Sequence, residues 1–159
     1  MNEAIFEILT PEYDEPLAKL IRSSLESYKI DIPGTVYFDE GLDHLSDYYC
    51  SEHRDYFVLL ENDSLIGGIG YAVFDGFEDC CELQKLYLDD SVKGKRYGYE
   101  MIRFIEDKAR EAGFKKMYLE THTNLQAAIH IYEKSGYQGI ARPSSVVHST
   151  MNRFYLKEL

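Results

Sequence analysis

A cluster of basic and glycine residues in the stretch SVKGKRYGYE is the part of the sequence best suited to bind an anion. Lys93, Lys95 and Arg96 lie there with Gly94 and Gly98, directly before an amphipathic helix pattern. Cations at a helix N-terminus cost about 0.3 kcal/mol each, because the N–H groups there already carry partial positive charge. Glycine lets an anion approach such N–H groups closely. The cluster predicts a phosphate-binding loop, with an exposed basic loop as the alternative.

Other phosphate-binding patterns do not fit the sequence. No Lys-Ser or Lys-Thr pair follows a G-x-x-x-x-G spacing. The glycines of GGIG, residues 67–70, fall inside a strand pattern and lack the third glycine of a dinucleotide-binding turn. The anion is therefore expected at the basic cluster.

The charge of the chain is divided unevenly between its two halves. Residues 1–84 hold four Lys and Arg against 19 Asp and Glu, a formal −15, whereas residues 85–159 hold 13 against nine, a formal +4. A duplex nucleic-acid binder needs a broad basic face, so no nucleic-acid partner is expected. The acidic half indicates either a solvated surface or a site approached by a cation or an amine.

Composition predicts a single domain, residues 1–159, with a core of its own. No apolar run approaches the roughly 20 residues that span a bilayer, and the N-terminus lacks a signal-peptide pattern. We therefore expect a cytoplasmic protein with no membrane partner. Cys50, Cys80 and Cys81 fit neither a disulfide framework nor a zinc site, so they are interpreted as reduced packing residues, with no metal expected.

The first half of the chain predicts one strand, two helices and then three strands. EAIFEIL alternates as a strand, and Thr10 with Pro11 is predicted to begin the first helix. DHLSDYYCSEHRD, residues 43–55, is interpreted as a second, acidic helix. From residue 56 onward, alternating segments separated by turns predict an antiparallel meander: YFVLLE, LIGGIGYAVF and CCELQKLYLDD.

The second half predicts helix, strand, helix and two strands. Ile102, Ile105 and Ala109 recur at helical spacing, and that helix is expected to end at Gly113. KKMYLET is a strand, LQAAIHIYEK is a helix closed by Gly136, and YQGIA and MNRFYLKEL are strands. The predicted fold class is α+β, with a mixed, mostly antiparallel central sheet of about seven strands flanked by about four helices. The central strand–helix–strand unit should cross over right-handed.

Three of these segments, in this order, resemble the GNAT superfamily of acetyl-CoA-dependent N-acetyltransferases. They are CELQKLYLDDSVKGKRYGYEMI, KKMYLET and AIHIYEKSGY, from about Cys81 to Tyr137. The family loop reads Gln/Arg-x-x-Gly-x-Gly/Ala after a strand of the form E-L-x-x-L-Y-V. This chain also looks closest to a branch of small stand-alone members that share the P-G-T, C-E-L-Q-K and Y-L-E-T signatures. The resemblance implies a GNAT-like fold and an N-acetyltransferase that transfers acetyl from acetyl-CoA to a primary amine of a small molecule or a peptide, by direct attack in a ternary complex.

The resemblance also implies where acetyl-CoA binds. Its pantetheine arm would pair with the backbone of the strand at residues 86–88, whose N–H groups are the implied oxyanion donors, and its diphosphate would meet the basic cluster. The implied cofactor-binding residues are Leu86, Tyr87, Leu88, Lys93, Gly94, Lys95, Arg96, Tyr97, Gly98, Tyr99 and Lys134.

Catalytic roles follow from the same resemblance. Tyr132 occupies the general-acid position, where hydrogen bonding to the leaving thiolate is the main expected contribution, because a model tyrosine has a pKa about 1.5 units above that of a thiol. Glu82 occupies a position where relatives carry the carboxylate that accepts the amine proton, and strand alternation places it on one face with Gln84 and Leu86. Glu120 and His122 are rival proton acceptors.

The acceptor pocket is expected around the first helices. Thr35, Tyr37 and Glu120 are the implied substrate-binding residues. Asp39 lies in the same segment as Thr35 and Tyr37, and the C-terminal tail adds His148. The acidic half favours a cationic acceptor such as a polyamine, an amino sugar, a lysine or an N-terminal amine.

Departures from the family pattern leave a second function open. Lys93 and Arg96 stand where the family prefers Gln/Arg and Gly, and Asn124 lies one residue before the family's usual asparagine position. A non-catalytic acyl-CoA-binding sensor or interaction module with the same fold is therefore the alternative. A homodimer through the terminal strands is also open.

Overall fold

The protein is described by a computed structural model covering residues 4–147 and 149–159. Its seven strands form one sheet in the order β1-β2-β3-β4-β5-β7-β6. The strands are β1 Ala4–Ile8, β2 Arg54–Glu61, β3 Ser64–Val73, β4 Cys80–Leu88, β5 Lys116–Thr121, β6 Gln138–Ile140 and β7 Arg153–Glu158. The helices are α1 Asp14–Ser27, α2 Leu45–Tyr48, α3 Tyr97–Glu111 and α4 Gln126–Lys134. The predicted α+β class, with seven strands and four helices, is confirmed.

The sheet is mostly antiparallel, as predicted. Neighbouring strands pair antiparallel except β4 and β5, which run parallel because α3 connects them across one face. The predicted central strand–helix–strand unit is therefore β4–α3–β5.

The two largest apolar cores lie on opposite faces of the sheet. On one face α3 buries a stripe that includes Met101, Ile102, Ile105 and Ala109, together with residues of β2 to β5. On the other face α1 and the segment around α2 cover β2 with residues such as Leu17. Successive side chains along β2 point to opposite faces of the sheet and enter the two cores in turn, so β2 is buried on both faces.

The helix ends follow the predicted glycines. Gly113 after α3 and Gly136 after α4 adopt φ values of +97° and +98°. In both turns the residue after the glycine donates its N–H back to the helix, from Phe114 to the Ala109 carbonyl and from Tyr137 to the Tyr132 carbonyl. This is the Schellman pattern, which satisfies carbonyls that the helix itself cannot.

Two predicted helix boundaries differ from the structure. A 3-10 turn, Pro11–Tyr13, precedes α1, and Thr10 makes no side-chain cap to the backbone. The predicted helix over residues 43–55 was too long: a 3-10 segment, Glu40–His44, leads into four residues of α-helix, and Arg54 already pairs with Ala72 of β3. Pairing with β3 outweighs the weak helical pattern there.

None of the described helices is long and apolar enough to cross a bilayer.

Candidate functional site

The sheet opens between β4 and β5. These strands pair only from Cys80 to Glu82 on β4 and from Lys116 to Tyr118 on β5, although β4 continues to Leu88. The rest of β4 therefore has β3 on one side and no strand on the other among the described residues. An opening of this kind exposes backbone hydrogen-bonding groups in the middle of a sheet, where an extended ligand can pair with them.

A bulge lies in β4 beside this opening. Gly68 pairs with Tyr87 and Gly70 with Gln84, so two residues of β4, Lys85 and Leu86, face a single residue of β3. Lys85 has a φ of +51°, which non-glycine residues seldom adopt.

The bulge corrects one expectation about Glu82. Alternation had placed Glu82 on the same face as Leu86, but the extra residue reverses the alternation after Gln84. Leu83 and Leu86 consequently belong to the α3-side core together, and Glu82 does not share the face of Leu86. Glu82 and Gln84 do lie on one face, because the Gln84 amide donates to the Glu82 carboxylate over 2.9 Å.

A cavity of about 410 Å³ lies along the opened part of β4 and reaches the start of α3. Its walls are almost wholly apolar. It brings together nine of the predicted cofactor-binding residues: Leu86, Tyr87, Leu88, Lys93, Gly94, Arg96, Tyr97, Gly98 and Tyr99. Lys95 and Lys134 are exposed and do not line it. We call this space the first cavity.

The loop before α3 keeps its shape without the family's glycine. Arg96 adopts a φ of +66°, the left-handed region that explains a preference for glycine at this position. Its guanidinium lies 5.3 Å from the centre of the Tyr99 ring. Gly98 has a packing role as well: a Cβ there would lie 2.8 Å from the Ile131 side chain of α4. The absence of a side chain at Gly98 therefore lets α3 and α4 approach each other.

Sequence reasoning missed one wall of the first cavity, which α1 supplies through Ser24, Leu25 and Tyr28. The Lys93 ammonium donates to the Tyr28 hydroxyl, and the Asn124 amide donates to the Tyr28 carbonyl over 3.0 Å. Asn124 therefore ties the end of α1 to the loop before α4. No local pattern in the sequence signals these contacts, because they join residues more than 60 positions apart.

Tyr132 lies where α4 meets the first cavity. The residue is 6% exposed, and among the described residues its hydroxyl has no protein hydrogen-bond partner. Burial raises the pKa of Tyr132 above its ordinary value, so the phenol stays protonated and can donate.

A buried ion pair holds the end of α4. The Tyr137 hydroxyl donates to Glu106 over 2.9 Å, and the Lys157 ammonium donates to both Glu106 carboxylate oxygens over 2.9 and 3.0 Å. The Tyr137 ring lies 6.0 Å from the Tyr132 ring. Residues of α3, β7 and the turn after α4 thus support the position of Tyr132.

Glu82 belongs to a chain of polar side chains on β4. The Tyr49 hydroxyl donates to Gln84 over 2.7 Å, and Gln84 donates to Glu82. Burial raises the pKa of Glu82; the Gln84 hydrogen bond opposes this rise, and the carboxylate of Glu120 adds to it. Glu82 is thus a half-buried carboxyl with an increased affinity for a proton, which suits a proton acceptor. It does not line the first cavity.

Glu120 lies on β5 and is held by two hydroxyls. Tyr118 and Ser149 each donate to its carboxylate over 2.8 Å. The ring nitrogen Nδ1 of the other rival proton acceptor, His122, accepts from the backbone N–H of Asn124. His148 lies outside the described residues.

A second, wider cavity of about 920 Å³ lies on the α2 side of β4. Three carboxylates line it, from Asp39, Glu40 and Asp47, together with Lys85. Burial lowers the pKa of Lys85, while Asp39 and Glu82 oppose the decrease. Lys85 lines the second cavity and the next residue, Leu86, lines the first, so the bulge separates the two cavities.

Thr35 and Tyr37, predicted to bind substrate, make contacts within their own region. The buried Thr35 hydroxyl donates to the Ile32 carbonyl over 2.7 Å, and the Tyr37 hydroxyl donates to Glu26 over 3.3 Å. Neither lines either cavity. Both shape the segment that leads to Asp39.

No metal site is found in the part of the chain that the structure describes. Cys80 and Cys81 are buried as free thiols, and burial raises their pKa values to about 11 and about 12. Such thiols are unreactive, in agreement with their interpretation as packing residues. The same interpretation was wrong for Cys50, which is exposed and donates its thiol to the Asp47 carbonyl over 2.8 Å.

Comparison with known proteins identifies relatives of this chain. The family model described as Acetyltransferase (GNAT) family matches residues 3–137. The Escherichia coli (strain K12) protein named uncharacterized N-acetyltransferase YjgM is 34% identical over 134 residues, which are 83% of this chain and 80% of that protein.

Solved structures share the fold. A GNAT-family acetyltransferase from Staphylococcus aureus Mu50 superposes with a TM-score of 0.86 at 20% identity, covering 98% of this chain and 99% of that one. The PaiA N-acetyltransferase from Thermoplasma acidophilum, solved in complex with coenzyme A, superposes with a TM-score of 0.78 at 18% identity, covering 99% of both chains.

Proposed function

The chain belongs to the GNAT family of acetyltransferases, and from this premise we propose that it transfers acetyl from acetyl-CoA to a primary amine of a small molecule or a peptide. The observation that carries the proposal is the placement of Tyr132 and the bulge of β4 on one cavity, with a half-buried carboxyl, Glu82, on the same strand. Binding alone would require neither a buried phenol nor a carboxyl of raised pKa.

The first cavity fits acetyl-CoA in shape and charge. Its apolar wall along β4 suits the pantetheine arm, and the N-terminus of α3 offers unpaired N–H groups for the diphosphate. Lys93, whose ammonium is paired with Asp90, and Arg96 supply positive charge at the same end. A structural neighbour that holds coenzyme A supports this choice of ligand.

The reaction breaks the C–S bond of a thioester and forms a C–N bond to the acceptor amine, with both substrates bound together. In the proposed sequence Glu82 accepts a proton from the amine, directly or through water. Backbone N–H groups at residues 86–88 donate to the carbonyl oxygen as negative charge develops there. Tyr132 donates a hydrogen bond to the departing sulfur. The second proton that the amine nitrogen loses as the C–S bond breaks is taken up by this sulfur, which leaves as the thiol of coenzyme A. Glu120 is the alternative proton acceptor.

We assign the second cavity to the acceptor. It adjoins the first at Lys85 and Leu86, and its carboxylates favour an acceptor that arrives as an ammonium ion. An ammonium must lose a proton before it can attack, which gives Glu82 its role.

A panel of amines tests the proposal. Purified protein is mixed with acetyl-CoA and with polyamines, amino sugars, amino acids or lysine peptides, and free thiol is measured. We expect at least one amine to accelerate thiol release well above the rate without amine. Thermal unfolding with acetyl-CoA is measured in parallel; at a hundredfold excess over Kd, binding should stabilise the protein by about 2.7 kcal/mol.

The two measurements separate the enzyme from its alternative. A thermal shift without amine-dependent thiol release from any member of the panel would favour a non-catalytic acyl-CoA-binding module. The absence of both would contradict the assignment of the first cavity.

A further inference from the structure

The side chain of Tyr56 crosses from β2 over β3 to the backbone of β4. Its hydroxyl donates to the Lys85 carbonyl over 2.6 Å, and the residue is completely buried. The ring passes over two glycines of β3. A Cβ on Gly68 would lie 2.4 Å from the Tyr56 hydroxyl oxygen, and one on Gly70 would lie 2.5 Å from the ring. The glycines of GGIG therefore make room for this tyrosine.

The hydrogen bond fixes the peptide at the bulge. None of the described peptide bonds is cis, so the carbonyl of Lys85 and the N–H of Leu86 point in opposite directions. Tyr56 approaches from the β3 side and holds the carbonyl there. The N–H of Leu86 is therefore directed to the other side of β4, where pairing with β5 has ended and the first cavity begins.

This anchor matters because a bulge interrupts the regular ladder. Residues at a bulge lack the paired hydrogen bonds that orient peptides elsewhere in a strand. Tyr49 packs against the Tyr56 ring, with centroids 5.1 Å apart, and keeps it in place. Burial also raises the pKa of Tyr56, so its hydroxyl remains a donor at any physiological pH.

We infer that Tyr56 is a positioning residue for acyl transfer: it orients the bulge peptide so that the Leu86 N–H can donate to the thioester carbonyl oxygen. The inference rests on the proposed function. It assigns a role to β2 and to the GGIG glycines, none of which lines the first cavity.

Tyr56→Phe tests the inference, because it retains the ring and removes only the hydroxyl. We expect kcat to fall roughly tenfold. This is more than the effect of losing one ordinary hydrogen bond and less than the effect of removing an oxyanion donor completely. The KM for acetyl-CoA should stay within about twofold of wild type. Tyr71→Phe is the matched control: Tyr71 is buried, and its hydroxyl donates over 2.9 Å to Asp55. That variant should keep the wild-type kcat.

A binding measurement separates positioning from a general structural role. One probe is a ketone analogue of acetyl-CoA, in which a methylene replaces the sulfur and the carbonyl oxygen remains. The other is S-ethyl coenzyme A, which has no carbonyl. Wild type should bind the ketone more tightly, and Tyr56→Phe should lose most of that preference while keeping its affinity for the thioether.

The outcomes are distinguishable from failure of the proposed function. A wild-type kcat in Tyr56→Phe, or an equal loss of affinity for both probes, would overturn the inference. If wild type transfers acetyl to no amine, the proposed function fails, but the two probes still report whether Tyr56 orients a donor to the carbonyl.

Discussion

The two cavities that meet at the bulge of β4 are built from different parts of the chain. The first uses the open edge of β4, the end of α1, the loop and first residues of α3, and one face of α4. The second is lined by the 3-10 segment Glu40–His44 and the short helix α2, together with Asp39 and Lys85. The first is apolar with a basic end, whereas the second is more than twice as large and carries three carboxylates.

This difference fits the two ligands proposed for them. A ligand recognised through backbone groups needs a fixed frame, and a strand edge next to a helix N-terminus provides one. A ligand recognised through exposed side chains of a short connecting segment can change when those side chains change. The cofactor side should therefore tolerate few substitutions, and the acceptor side should set specificity.

The largest effect is expected from Tyr132→Phe, which removes the hydroxyl proposed to donate to the departing sulfur. We expect kcat to fall about a hundredfold, the lower end for loss of a general acid. The Kd of acetyl-CoA should change less than twofold, because the ring remains in the wall. Steady-state thiol release and calorimetric titration measure the two quantities. A variant with wild-type kcat would exclude Tyr132 as the donor.

Glu82→Gln should lower kcat about tenfold near neutral pH and remove the acidic limb of the rate profile. The same change should alter stability. Because the folded-state pKa of Glu82 is raised above its ordinary value of 4.5, its contribution to stability is present below that value and is lost as pH rises through the raised pKa.

Thermal unfolding at several pH values measures this contribution. The Tm of Glu82→Gln relative to wild type should increase as pH rises from about 4 to about 8. Glu120→Gln is the comparison for the rival proton acceptor. An acidic limb that survives in Glu82→Gln and disappears in Glu120→Gln would transfer the role to Glu120.

A crossed pair of variants tests whether the cavities have separate ligands. Lys93→Met should weaken acetyl-CoA binding roughly fivefold and reduce its salt dependence, because a charge beside the diphosphate is lost. Asp39→Asn should raise the KM of a cationic acceptor about threefold and leave acetyl-CoA affinity unchanged. Lys115→Met, on the exposed turn after α3, is the control for a lost surface charge. A changed KM of the acceptor in Lys93→Met, or a changed acetyl-CoA affinity in Asp39→Asn, would contradict the assignment.

The smallest effect is expected from Arg96→Gly. Glycine adopts the left-handed conformation without strain, but it increases the conformational entropy of the unfolded chain. We therefore expect the free energy of unfolding to rise by about 0.5 kcal/mol and Tm to rise by about 1–2 °C. Acetyl-CoA affinity should fall two- to fivefold if Arg96 contacts the diphosphate.

Lys29→Gly is a matched control for this variant. Lys29 follows α1 with a φ of +60° and does not line the first cavity. It should show a similar gain in Tm with no change in affinity. An increase in acetyl-CoA affinity in Arg96→Gly would show instead that the arginine crowds the site.

The first cavity could largely be predicted from the sequence because its signals are local. The basic loop, the helix start and Tyr132 lie within the 40 residues 93–132. The loop and the helix start follow from local sequence pattern, and Tyr132 follows from the family resemblance. Two predicted residues are exceptions: Lys95 of the basic loop and Lys134 at the end of α4 are exposed and do not line the cavity.

The remaining features depend on contacts between distant segments. The bulge at Lys85 reversed the face expected for Leu86, and nothing in CELQKLYL signals an extra residue. Tyr28 reaches the first cavity only because α1 ends beside Lys93. Thr35 and Tyr37 lie in the expected region, but their hydroxyls bond to neighbouring groups. For the second cavity, the sequence indicated only an excess of negative charge in the first half of the chain, not which residues line it.

Single-turnover transfer tests the central claim most directly. Protein in excess over acetyl-CoA is mixed with the best amine of the panel, and free thiol and N-acetylated amine are measured over time. The account predicts that the two products form at equal rates and in equal amounts, and that both slow about a hundredfold in Tyr132→Phe. Tight binding of acetyl-CoA with no N-acetylated amine from any acceptor would contradict it.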